Sequence, residues 1–355
     1  MRGLIKITSF ILLIAFALLT VACNSGNEQI SENLTSDTLG DEVTEENTEK
    51  STKKTSQKTT DKKEEETSRP IKESEPPTMV DSTEGLDLNI KILSQNVRYA
   101  DDEGNNSVKE RTTRFKALLD EYKPDLVGTQ EVTMEWLLYL RSIEGYEVIG
   151  SSRDGHRSMS GEWNAIMYNT ERFVLMDSDT FWLTETPDKT SMTEGALCRR
   201  ICTWAELFDR YTGETIIMAN THLDHSNNTV RATQTQYLLM HLRKRLGDRF
   251  TQNKVYLTGD FNCTNTSTPY LTVELVGFVD THKAALEDRS NVKGTFHDYG
   301  QSDREIDFCF SKGEEAVLSY EIISKKYMGE MDSEPGFVSD HYGVMVVFER
   351  KVVSQ

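Results

Sequence analysis

Asp125-Leu126-Val127-Gly128-Thr129-Gln130-Glu131-Val132 is a short apolar run that closes on polar residues, as a strand does when its end opens into a loop. Upstream, Leu88-Asn89-Ile90-Lys91-Ile92-Leu93-Ser94-Gln95-Asn96-Val97 alternates in the manner of a half-buried strand. Between the two, Val108, Phe115, Leu118, Leu119 and Tyr122 recur at helical spacing, and Pro124 ends that helix. Downstream, Trp136 to Leu140 continues as a second helix and Tyr146 to Gly150 as a strand. Strand-rich stretches follow around Asn164–Tyr168, Phe173–Ser178, Ile201–Phe208 and Thr215–Thr221, then a long helix from about Thr229 to Leu246. Val255–Leu257, Glu305–Ser311 and Tyr342–Glu349 supply the remaining strands. Interleaved strands and helices of this kind predict an α/β (α+β) class with layered sheets.

The chain divides by composition. In residues 1–23, Arg2 and Lys6 precede the apolar run Phe10 to Leu19, which is shorter than the roughly 20 residues a spanning helix needs and reads as a signal segment. Leu19-Thr20-Val21-Ala22-Cys23 resembles a lipobox, in which Cys23 is lipidated and becomes the new N-terminus; Thr20 and Val21 depart from its commonest form. Residues 24–85 are dominated by Ser, Thr, Asn, Glu, Asp and Lys and bury too little apolar surface to offset ordering entropy, so they are expected to be a disordered tether. Residues 86–351 form the expected globular domain, extracytoplasmic and held to the cell membrane by the lipid.

The formal charge is −18, of which residues 24–84 account for −8 and the two N-terminal cations for +2, leaving −12 on residues 85–355. Such a balance disfavours tight, non-specific binding of duplex nucleic acid, which leans on cationic patches. Cys198 and Cys202 lack the companions of a zinc site, and the four domain cysteines read most simply as free thiols, with disulfides open to an exported chain.

Five polar stretches sit at strand ends, where loops converge on a site. Ser94-Gln95-Asn96 ends the first strand and by itself reads as a turn cap. Glu131 closes a very apolar strand and must pair, coordinate or reach the surface, because burying it alone costs several kcal/mol; a hard divalent cation is one natural partner. Asn220-Thr221-His222-Leu223-Asp224-His225 offers imidazoles for phosphate binding or proton transfer, or alternatively a zinc site built on His222, Asp224 and His225. Thr258-Gly259-Asp260-Phe261-Asn262 projects a carboxylate and an amide from a tight turn. Ser339-Asp340-His341 sets an acid beside an imidazole that needs a second carboxylate to orient it, and Asp307 is the candidate.

In this order the stretches resemble the endonuclease/exonuclease/phosphatase family, also called deoxyribonuclease-I-like, from about Ile90 to Phe348. Gly161-Glu162-Trp163-Asn164 and Thr180-Phe181-Trp182 are smaller echoes of a bacterial metal-dependent hydrolase branch. The resemblance implies a four-layer sandwich of two packed β-sheets flanked by helices. It also implies an enzyme that hydrolyses phosphoester bonds with Mg²⁺, for which Mn²⁺ can substitute. Glu131 is implied as the principal metal ligand, assisted by Asn96 and Asp340. His341 is implied as the general base, held by Asp307, with Asp260 positioning or activating the water as the other candidate for the base. Asn262 and Asn164 are implied substrate contacts. His222 is implied as a phosphate ligand or general acid oriented by Glu162.

The expected substrate is a small phosphorylated molecule, a nucleotide or a lipid headgroup. An extracellular nuclease and a catalytically inactive binding module are the competing readings. No protein partner is implied and a monomer is expected.

Overall fold

The computed structural model describes residues 77–352 except 314. The expected signal segment, Cys23 and the tether as far as residue 76 lie outside the described residues. Contacts reach residues before Leu86: the Val80 amide donates to the Arg210 carbonyl at 3.0 Å, and the Met79 sulfur lies beside Gly213.

Among the described residues two sheets stack face to face. The first orders its strands β10 (Glu287–Asp288), β12 (Val317–Ile323), β13 (Gly343–Phe348), β1 (Ile90–Asn96), β2 (Leu126–Val132), β4 (Trp163–Asn169) and β3 (Tyr146–Ile149). The second orders β5 (Phe173–Trp182), β6 (Ile201–Asp209), β7 (Thr215–His222), β8 (Lys254–Asp260), β11 (Asp307–Lys312) and β9 (Val279–Asp280).

Alternation along the strands assigns each face. Ile90, Ile92 and Leu126 turn inward and meet Leu207, Ile216, Met218 and Tyr256 of the opposite sheet. Leu93 and Val127 turn outward, under Phe115, Leu118 and Leu119 of helix α1 (Val108–Tyr122) and Trp136, Leu137 and Leu140 of α2 (Met134–Leu140). On the other flank Ile217, Ala219 and Leu257 lie under Leu238, Leu239 and Leu242 of α3 (Asn228–Leu246) and Tyr270 and Val273 of α5 (Thr268–Leu275); the short α4 (Arg249–Gln252) follows α3. The result is the expected helix–sheet–sheet–helix sandwich. Strand β12 and helix α5, with Pro269 in its first turn, were not anticipated from the sequence.

The architecture makes one end of the sandwich special. At the centre of each sheet lies a parallel pair, β1 with β2 and β7 with β8, so four strand C-termini emerge together. Polar ties fix their relative height. The Gln130 amide donates to Asn220 Oδ1 at 2.7 Å, and the Asn220 amide donates to the carbonyls of Thr129 and Ala165 at 2.8 and 2.9 Å, joining the sheets beneath the site. Gly128 allows that approach, since a Cβ there would stand 2.1 Å from Thr258 Oγ1.

Candidate active site

Register alone assembles most of the site. His222 and Asp260 are direct neighbours in the parallel β7–β8 pair, and Asp260 faces Asp307 in the antiparallel β8–β11 pair. Asn96 ends β1 beside Gln130 of β2, one residue before Glu131. A bulge between Thr129 and Val132 turns Glu131 out of the strand, with φ at +60°; Asn262 is likewise at +50° and Arg98 at +62°. Non-glycine residues held in this region cost on the order of 1–3 kcal/mol each and cluster at functional sites.

The side chains then close into one constellation. The Asn96 amide donates at 3.1 Å to both Glu131 Oε1 and Asp260 Oδ2, and the Tyr99 amide donates to Glu131 Oε2 at 2.8 Å. Donor atoms of Glu131, His222 and Asp260 lie within 4.8 Å of one another, as do those of Asp260, Asp307 and His341, so Asp260 belongs to both groups. His341 Nδ1 lies 2.8 Å from Asp307 Oδ2, and its Nε2 faces Asp260 Oδ2 at 3.8 Å. The Asn262 amide donates to His222 Nε2 at 2.9 Å and to the Leu223 carbonyl at 3.0 Å.

Electrostatics separate the roles of these groups. Burial disfavours the charged form of His341, but Asp307, with Asp260 and Asp340 behind it, outweighs this and lifts the ring to about 10. Burial and the neighbouring Asp307 carboxylate push Asp260 up to about 7, against the pull of His341. His341 is therefore favoured as an imidazolium, while ionisation of Asp260 is opposed by burial and by Asp307. His222 moves the opposite way: burial, then Arg200 and Arg153, hold it well below its ordinary value and keep it neutral.

Three expected placements differ. Glu162 does not orient His222; both its oxygens are taken by Arg153, at 2.8 and 2.7 Å, and His222 Nδ1 has no partner. Asp340 does not join Glu131; its Oδ2 accepts from Arg98 Nη1 at 2.6 Å and its Oδ1 from Ser339 Oγ at 3.0 Å. The Asn164 side chain is buried and donates to the Ile201 carbonyl at 2.8 Å, which makes it a tie between the sheets. The trio His222, Asp224 and His225 does not form either. Asp224 accepts from the amides of Leu197, Cys198 and Ser226, and its metal-capable neighbours are Cys198 and His225, away from His222.

Arg98 and Arg153 were missed in the sequence. Arg98 carried one usable signal, a cation two residues beyond a strand that ends on Asn96. Among the described residues the four domain cysteines are free thiols.

Comparison with known proteins agrees with this geometry. Residues 93–341 match the model of the Endonuclease/Exonuclease/phosphatase family. Among solved structures, the chain is similar to an endonuclease/exonuclease/phosphatase from Bacteroides vulgatus, at 29% identity and a TM-score of 0.67, over 74% of this chain and 99% of that one. A mannosyl-6-phosphatase from Bacteroides thetaiotaomicron matches at 27% identity and a TM-score of 0.67, over 74% and 100%. A functionally unknown conserved protein from Enterococcus faecalis matches at 25% and 0.64, over 74% and 100%. No curated protein matches. Two mixed sheets packed between helices, a carboxylate–imidazole site at the C-terminal ends of their central strands, and a family match across that whole span lead to one conclusion: the chain belongs to the endonuclease/exonuclease/phosphatase family of hydrolases.

Proposed function

We propose that the protein is a Mg²⁺-dependent hydrolase of phosphate monoesters on small molecules, sugar phosphates first among them. The observation that carries this reading is the Asn96 amide, which bridges Glu131 and Asp260 opposite the Asp307–His341 pair. Two carboxylates drawn to one point offer the hard oxygen donors that Mg²⁺ prefers, and Mn²⁺ fits the same set. Glu131 and Asp260 would hold the ion, with Asn96 beside them. Bound there, it supplies a Lewis acid for a phosphate oxygen and lowers the pKa of water.

The chain's own residues divide the remaining work. Asp260, the carboxylate shared by both clusters of the site, takes the proton of the attacking water. His341, kept cationic by Asp307, donates from Nε2 to a phosphate oxygen and stabilises charge that grows in the transition state. Of the two expected candidates for the base, this reading takes Asp260. The Asn262 amide, donating to His222 Nε2 and the Leu223 carbonyl, fixes neutral His222 beside Asp260 at the edge of the phosphate site.

Two observations support a small substrate. The domain carries an excess of acid, which repels a polyanion. The Bacteroides thetaiotaomicron neighbour, spanned over its full length, is a mannosyl-6-phosphatase. Export and tethering through a lipid on Cys23 belong to the same reading, which places the enzyme outside the membrane, on phosphorylated molecules available there.

The test is a screen with Mg²⁺ against sugar phosphates, nucleotides, phospholipids and plasmid DNA. Release of inorganic phosphate from sugar phosphates with the plasmid intact is the expected result. Nicked plasmid without phosphate release transfers the reading to a nuclease. Turnover of none of them leaves a binding module.

A further inference from the structure

We infer that Arg98 makes this a one-metal centre, by withholding Asp340 from the cation. This rests on the metal-dependent reading of the site and specifies how its carboxylates are divided. Arg98 stands two residues beyond Asn96 in a left-handed conformation, its amide donating to Asn96 Oδ1 at 2.9 Å. The strained turn therefore ties the guanidinium rigidly to one of the expected ligands. From there Nη1 reaches Asp340 Oδ2 at 2.6 Å, while Nε and Nη2 reach the two oxygens of Asp102 at 2.6 and 3.1 Å. With Ser339 Oγ on the other oxygen of Asp340, neither oxygen is free.

Pairing the charges around the site shows what remains. Asp307 is matched by His341 and Glu162 by Arg153. Asp102 and Asp340 face Arg98 and the fully buried Arg111, whose own donors go to the carbonyls of Val97, Arg98 and Ala100. Glu131 is left without a cation, and Asp260, drawn to it by the Asn96 amide, only shares His341 with Asp307, at 3.8 Å from Nε2. The negative charge left over calls for no more than one divalent ion. A second ion would need the carboxylate that Arg98 already holds, and would have to displace a cation fixed at three points.

The test reads metal binding without substrate, so a failure of the proposed phosphatase activity leaves it unaffected. Mg²⁺ and Mn²⁺ are titrated by calorimetry into metal-stripped wild-type protein, Asp340→Asn, Glu131→Gln, Arg98→Gln and Arg98→Lys, each checked for cooperative melting in chelator. The wild type should bind one equivalent. Asp340→Asn should also bind one, with affinity within about 3-fold of wild type, whereas Glu131→Gln, losing a direct ligand charge, should weaken binding by about 10-fold or more. Arg98→Gln should release Asp340 and admit a second equivalent, and Arg98→Lys should restore one. Two equivalents in the wild type, Asp340→Asn as damaging as Glu131→Gln, or Arg98→Gln unchanged from wild type would each overturn the inference.

Discussion

Replacing Asp307 by Asn keeps the shape of the side chain and removes the charge that faces His341 Nδ1 at 2.8 Å. The contact is buried, with the two side chains 1% and 6% exposed, so little solvent screens it. A hydrogen bond to a charged group contributes about 1.5–3 kcal/mol, which is roughly 10- to 100-fold in a rate or one to two pH units in a titration. Asp307 raises the pKa of His341, so its loss moves that titration toward acid. In the proposed mechanism His341 must be protonated, and it sets the descending limb of kcat/KM against pH. Asp307→Asn should therefore pull the descending limb down by about one to two units.

The ascending limb, set by Asp260, should move the same way, because Asp307 is also the charge that raises Asp260. At neutral pH turnover should fall by about 10- to 100-fold from the lost orientation of the ring. His341→Ala should fall by about 10²–10³, the usual effect of deleting one transition-state donor. The double mutant should be little worse than His341→Ala, since Asp307 acts through the ring. The assay is steady-state phosphate release from a sugar phosphate between pH 5 and about 11, within the range the two titrations span. A descending limb that stays in place, or losses that multiply, would refute the pairing.

Three further outcomes are expected. A Cβ at Gly259 would stand 2.3 Å from the Thr221 backbone oxygen, so Gly259→Ala must part β7 from β8; stability should drop by about 1–3 kcal/mol and turnover should collapse with the displaced His222, and an unchanged melting temperature would count against this. His282 is raised to about 9, chiefly by its hydrogen bond to Glu305 and further by Asp288, against burial. Its folded pKa exceeds the ordinary 6.5, so its contribution is complete below that value and is lost as pH rises through about 9. Urea midpoints should fall across that window by the equivalent of at most about 3 kcal/mol, less for a ring that is 29% exposed, and His282→Gln should flatten the curve. Cys23→Ser should release the protein from membranes or leave its signal uncleaved; an unchanged membrane fraction with normal processing would reject the lipid anchor.

The two sheets and their flanking helices were legible because periodicity survives where one face is buried. α1 repeats its apolar residues every three to four positions and Pro124 follows its end, whereas β1, read as half-buried, is buried on both faces and was legible from its apolar run and polar close. The stretch from Cys263 to Arg304 was harder: its helices are short and its two-residue strands carry no period. The site motifs were visible as polar residues at strand ends, and backbone register does bring Asn96, Glu131, His222, Asp260, Asp307 and His341 together.

Partner choice was not visible. Whether Asp340 turns to a metal or to Arg98 is decided by a contact 242 positions apart in the chain and by one left-handed residue. Glu162 was assigned to His222, but Arg153, nine positions before it, offers a two-point ion pair that a neutral imidazole cannot match. Protonation followed the same pattern. The sequence shows an acid and a histidine, and the shifts of Asp260 and His341 come from burial, from Asp307 and from each other.

The most direct test of the metal-dependent phosphomonoesterase is the initial rate of phosphate release from a sugar phosphate by metal-stripped protein, with Mg²⁺ then added back, in wild type and in Glu131→Gln. The expected result is no turnover in chelator, saturable recovery with Mg²⁺ in the wild type, and a loss of about 10²-fold or more in Glu131→Gln that excess Mg²⁺ restores at most in part. Full activity in chelator, recovery with zinc alone, or a Glu131→Gln variant as active as wild type would contradict it.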